Sequence, residues 1–166
     1  MNTVPVIDLA PFLDGSDRGS VVDAVRQANE TIGFLVISGH GVDPTLIGAV
    51  EAAAHEFFAL PAAVKARYVP EVPWFFRGYE PVGGSALART EGYDTPPDLC
   101  ELFRISRFDD PAEAARSGYE PGLEYFFAPN IWPSEVPALR SALTAYYDAL
   151  TDLGATMMRI FALALD

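Results

Sequence analysis

The chain has 166 residues, half of them apolar and 12% aromatic, enough for one globular core of the usual ~100 to 200 residues. Its 23 acidic and 11 basic residues give a formal charge of −12, scattered along the chain. Such a surface repels phosphate backbones and anionic lipids, which excludes nucleic acid and membrane surfaces as natural partners.

Met1-Asn2-Thr3-Val4-Pro5 carries no basic segment ahead of an apolar run, and no uncharged apolar stretch approaches the roughly 20 residues that span a bilayer. A soluble, cytoplasmic protein is expected. Val4-Pro5-Val6-Ile7-Asp8-Leu9 reads as a short edge strand, because Pro5 cannot donate to a ladder. A loop through Asp14-Gly15-Ser16-Asp17 follows. Ser20 with Asp23 resembles a capping box, after which Val21, Val25, Ala28 and Ile32 share a helical face that ends at Gly33.

Phe34-Leu35-Val36-Ile37 is a β-branched and aromatic run between glycines, the pattern of a strand buried on both faces. Gly39-His40-Gly41-Val42 turns the chain. Asp43 is the expected N-cap of the next helix, with Pro44 at its first position and Leu46, Val50, Ala53 or Ala54, and Phe57 on one face. That helix stops near Leu60-Pro61, and a shorter one continues to Tyr68. From Pro70 to about Asn130 the composition predicts loops and short strands, with Leu99 to Ser106 as the best strand. Within it Cys100, the only cysteine, rules out an internal disulfide or a multi-cysteine metal site and reads as a buried, inert thiol. Ser134 is the expected cap of a last helix whose stripe runs Val136, Leu139, Leu143, Tyr146, Leu150, Leu153, Met157, Ile160 and Ala164, ~45 Å long.

Six pieces of the chain, taken in order, resemble the N-terminal region of the isopenicillin N synthase-like family of non-haem Fe(II)/2-oxoglutarate-dependent dioxygenases. They are Val4 to Leu9; Gly33 to Val42; Phe57-Phe58-Ala59-Leu60-Pro61 with Lys65; Arg77-Gly78-Tyr79; Asp98-Leu99-Cys100-Glu101; and Pro129-Asn130-Ile131-Trp132-Pro133. Gly39 departs from the pattern, which usually has Asn there. The resemblance implies an α+β fold, the N-terminal portion of a double-stranded β-helix (jelly-roll) oxygenase. Residues 1–118 would form the N-terminal domain, and residues 119–166 a loop and long bracing helix leading into the catalytic jelly roll. It also implies Fe(II) and 2-oxoglutarate as cofactors, a small-molecule substrate, and a C-terminal half that this chain lacks.

The family holds iron with His-x-Asp and a distant His, and the co-substrate with Arg-x-Ser. A facial site of two imidazoles and one carboxylate cannot be assembled here, since only His40 and His55 are present and neither begins His-x-Asp. His40 reads as a structural histidine of the turn, and His55 as an ordinary helix residue. Arg104-Ile105-Ser106 matches Arg-x-Ser literally but lies far ahead of the co-substrate clamp, so the match is coincidental. No catalytic, cofactor-binding or metal residue is therefore expected in the chain. Arg77 and Tyr79 are the candidate substrate-binding residues, the guanidinium being suited to a substrate carboxylate, with Trp74, Phe75 and Phe76 as possible lining.

Gly83-Gly84-Ser85 lacks the Lys-Ser/Thr of a phosphate loop, and no Gly-x-Ser-x-Gly elbow is present. The expected function is the N-terminal half of an oxidoreductase, a fragment inactive alone. The alternative is a non-catalytic interaction module or pseudoenzyme remnant that binds a partner through the long helix, whose stripe spans about four heptads. Unpaired strand edges and the open stripe also predict marginal solubility.

Overall fold

Local chemistry sets the first elements. Pro5 leaves β1 only Val6–Asp8, and Asp8 Oδ1 then accepts the Ala10 N–H at 3.0 Å. This turns the chain into a single helical turn, α1 (Ala10–Leu13), with Pro11 near its start. One turn leaves no periodic trace in the sequence. Helix α2 covers Arg18–Thr31 and starts one turn earlier than expected: its cap is Asp17, whose carboxylate accepts the Ser20 N–H at 3.1 Å. Asp17 has the better claim because its side chain reaches the third N–H of the helix, while Ser20 already sits inside the first turn. Val21, Val22, Val25 and Ala28 are buried, and Gly33 closes the helix by donating to Ala28 O at 2.9 Å.

The structure, a computed structural model, describes residues 3–72, 76–84, 92, 96–116 and 128–165. The expectations on Trp74, Phe75 and Ser85 fall outside these residues. The remaining elements are β2 (Val36–Ser38), α3 (Pro44–Phe58), α4 (Ala62–Lys65) with a 3₁₀ turn at Ala66–Tyr68, β3 (Gly78–Glu80), β4 (Leu102–Arg104), α5 (Pro111–Arg116) and α6 (Pro137–Leu165). Instead of one core, the chain divides into two compact units: Met1–Gly48 with Ala145–Asp166, and Ala49–Thr144.

In the first unit β1 and β2 pair in parallel, Val6 opposite Val36, Ile7 opposite Ile37, Asp8 opposite Ser38. Ile7 packs inward with Leu9, Phe12, Val21, Val25 and Ala28 and with Ile160 of α6. Each of these other than Ala28 contributes about 1.5–3 kcal/mol on full burial. The opposite face is uncovered. Val6 is 67% exposed, Val36 50%, and two residues before each, Val4 and Phe34 are 47% and 71% exposed. The expectation that Phe34 to Ile37 is buried on both faces is thus corrected: two strands have one packed layer, and alternation turns Phe34 and Val36 away from it. Arg26 on α2 donates Nε to Ala164 O at 2.7 Å and Nη2 to Leu163 O at 3.2 Å, placing a cation at the negative end of α6.

In the second unit β3 and β4 are antiparallel, with Tyr79 opposite Phe103. Phe57, fully buried, is the hub: its ring lies 4.8 Å from Phe103, 5.3 Å from Phe58, 5.9 Å from Tyr79 and 6.3 Å from Tyr68, all edge-on. Val136, Leu139 and Ala142 complete this core. Helix α6 starts at Pro137 rather than at Ser134, because Tyr68 captures that serine: Ser134 N–H donates to Tyr68 Oη at 3.1 Å. Its 29 residues match the expected length, although Leu150 of the predicted stripe is 41% exposed. Among the described residues, no single helix is long and apolar enough to cross a membrane.

Candidate functional site

Helix α3 is capped as its sequence predicts, Asp43 Oδ1 accepting the Thr45 N–H at 2.8 Å, and that bond holds the Asp43 carboxyl below its ordinary range. The helix brings Phe57 and Phe58 to the second core, and the Pro61 turn then sends α4 back so that Lys65 enters the same region. Lys65 Nζ donates to Phe58 O at 3.0 Å and to Glu101 Oε2 at 2.6 Å. Tyr79, from β3, donates its hydroxyl to the same Glu101 oxygen at 2.6 Å. The ammonium also lies 5.5 Å from the centre of the Tyr79 ring and 5.9 Å from that of Phe58, within the reach of a cation–π attraction.

Lys65 is 7% and Tyr79 5% exposed, so the ammonium and the phenol are shielded from water, while the Glu101 side chain is 28% exposed. Burial, then the bond to Glu101 and its negative charge, push the Tyr79 phenol up to about 12. The Lys65 bond, then the Tyr79 bond, hold Glu101 below its ordinary range. A lysine, a tyrosine and a glutamate from three pieces of the family resemblance thus meet at one oxygen atom. Sequence reasoning missed this junction, although one signal was available: Lys65 is the only lysine in the chain. Cys100, by contrast, is exposed and not buried as expected: β4 covers only Leu102–Arg104 of the predicted Leu99 to Ser106 strand, and Cys100 lies with the exposed Leu99 in the stretch before it.

Arg77 is 7% exposed, with Nε donating to Ala128 O at 3.1 Å and Nη1 to Phe76 O at 2.6 Å. The structure therefore brings Arg77 and Tyr79 together on one strand entry, each side chain held by a partner within the chain. Gly78 between them has φ +71°, and a Cβ there would lie 2.3 Å from Tyr68 O. Arg104 pairs with Glu80 across the β3–β4 ladder and stacks on Phe76, a structural role for the arginine of Arg104-Ile105-Ser106.

Asn130 and Trp132 both donate to Asp109, at 2.6 Å and 3.0 Å, and Arg140 adds a third donor at 2.8 Å. His40 accepts the Val42 N–H on Nδ1 at 3.1 Å inside the turn, and His55 is exposed on α3. Among the described residues no three His, Cys, Asp or Glu side chains are grouped to hold a metal ion. Two imidazoles, one tied into a turn, do not fit the two-His-one-carboxylate set that Fe(II) requires.

A model of the family described as non-haem dioxygenase in morphine synthesis N-terminal matches residues 4–135. The chain belongs to this dioxygenase N-terminal family. A 2-oxoglutarate-dependent dioxygenase of Monascus ruber is 34% identical over 160 residues, 90% of this chain and 44% of the relative. Another, from Didymella fabae, is 32% identical over 169 residues, 98% of this chain and 49% of the relative. Among solved structures, a 2OG-Fe(II) oxygenase family protein from Caulobacter crescentus superposes with a TM-score of 0.77 at 27% identity, covering 99% of this chain and 49% of that one.

The chain spans about half the length of the curated relatives it matches. Its helices and few short strands superpose on part of that oxygenase. Gly39, where the family motif usually has Asn, has φ +58°, and a Cβ there would overlap Asp8 Oδ1, so the turn as it stands here suits glycine.

Proposed function

We propose that this chain is the N-terminal half of an Fe(II)/2-oxoglutarate-dependent oxidoreductase that hydroxylates, desaturates or cyclises a small molecule. One observation carries the reading: matches that cover 90% and 98% of this chain cover only 44% and 49% of dioxygenases. On this reading residues 1–118 are the N-terminal domain and residues 119–166 lead, through α6, into a catalytic jelly roll that supplies the iron ligands and the 2-oxoglutarate site. Arg77 and Tyr79 belong to the wall of the substrate pocket, and Arg77 grips a carboxylate only by releasing a backbone carbonyl. The outward face formed by Val4, Val6, Phe34 and Val36 is the surface that the remaining half covers.

A second reading, a non-catalytic module that binds a partner through α6, rests on the exposed stripe Thr151, Ala155, Met158, Ala162 and Leu165, spaced by four and three residues. The reading frame beyond Asp166 separates the two. The oxygenase reading expects His-x-Asp, a distant His and Arg-x-Ser there, and a stop codon favours the module. For the 166-residue chain itself, calorimetry with Fe(II) and a succinate assay with 2-oxoglutarate are expected to show neither binding nor turnover. Micromolar iron affinity that disappears in His40→Ala and His55→Ala variants overturns that expectation.

A further inference from the structure

We draw no further inference here: the strongest candidate, the cleft of about 520 Å³ between β1 and α2, is rimmed by Asp8, Ser20 and Thr31 whose polar atoms already bond within the chain, and nothing in the structure shows what covers its apolar floor.

Discussion

Lys65 Nζ stands 2.6 Å from Glu101 Oε2, joining α4 to the residue that enters β4. The ammonium side chain is 8% exposed and the carboxylate 28%, so the pair is more sheltered than a surface ion pair without being dry. Removing Glu101 leaves the Lys65 ammonium buried beside the Phe58 and Tyr79 rings, and removing Lys65 leaves the part-exposed Glu101 carboxylate without its cation. Lys65→Met or Glu101→Leu alone is therefore expected to destabilise the second unit by about 2–4 kcal/mol, below the fully buried case because Glu101 keeps some water. The double variant recovers part of the loss, since no unpaired charge remains. Denaturant unfolding followed by tryptophan fluorescence measures all three; strictly additive losses would sink the idea of a coupled pair.

The same cluster fixes a pH window. Glu101 has its carboxyl held low in the folded state, so its contribution is present above the ordinary glutamate range and is lost as pH falls through the folded value. Tyr79 is raised from 10.0 to about 12, so its contribution is complete below 10 and is lost as pH rises from 10 toward 12. Stability from this cluster is thus widest between the two limits. Ultraviolet titration of the phenols is expected to show a step at about 12 that Tyr79→Phe removes. A wild-type titration complete well below 12 contradicts the burial of that hydroxyl.

The periodic elements were the legible ones. The Phe57 face of α3 and the length of α6 follow from spacing that repeats over several turns, and the Asp43 cap and Pro44 start follow from residue type at the head of that pattern. What the sequence concealed is of two kinds. Elements of one or two turns such as α1 and α5 carry too few residues for a period, and the expected caps Ser20 and Ser134 were displaced by groups one turn or 66 residues away. The Lys65, Tyr79 and Glu101 junction lies 22 and 36 residues apart along the chain, so it exists only after folding. The family pieces marked where those three residues lie, but no spacing rule showed that they meet.

Gly78 and Gly39 both have positive φ, yet they differ in what surrounds them. A Cβ at Gly39 meets Asp8 Oδ1 at 1.9 Å, a side-chain atom that can rotate away at the cost of its bond to the Ala10 N–H. A Cβ at Gly78 meets the backbone oxygen of Tyr68 at 2.3 Å, and nothing there rotates. Gly39→Ala is expected to cost about 1.5–3 kcal/mol, left-handed strain plus one exposed hydrogen bond. Gly78→Ala should exceed it, at roughly 4 kcal/mol or more, because β3 must separate from Tyr68. Thermal melts of both variants compare them directly; equal losses would show that backbone overlap at Gly78 relaxes freely.

The outward face of the parallel strand pair offers a test with the opposite sign. Val6 and Val36 are register partners, and Phe34 at 71% exposure extends the same face beyond them. Four apolar side chains meeting water on an open two-stranded sheet favour association through that face or along its edges. Because none of the four packs in the first core, replacing two of them costs this chain little. Val36→Thr with Phe34→Thr is therefore expected to leave the melting temperature within about 2 °C of wild type, the shift of a change under 0.5 kcal/mol. The same variant should delay concentration-dependent self-association in sedimentation. If the double variant instead unfolds the first unit, the two residues are core members and the open face does not exist.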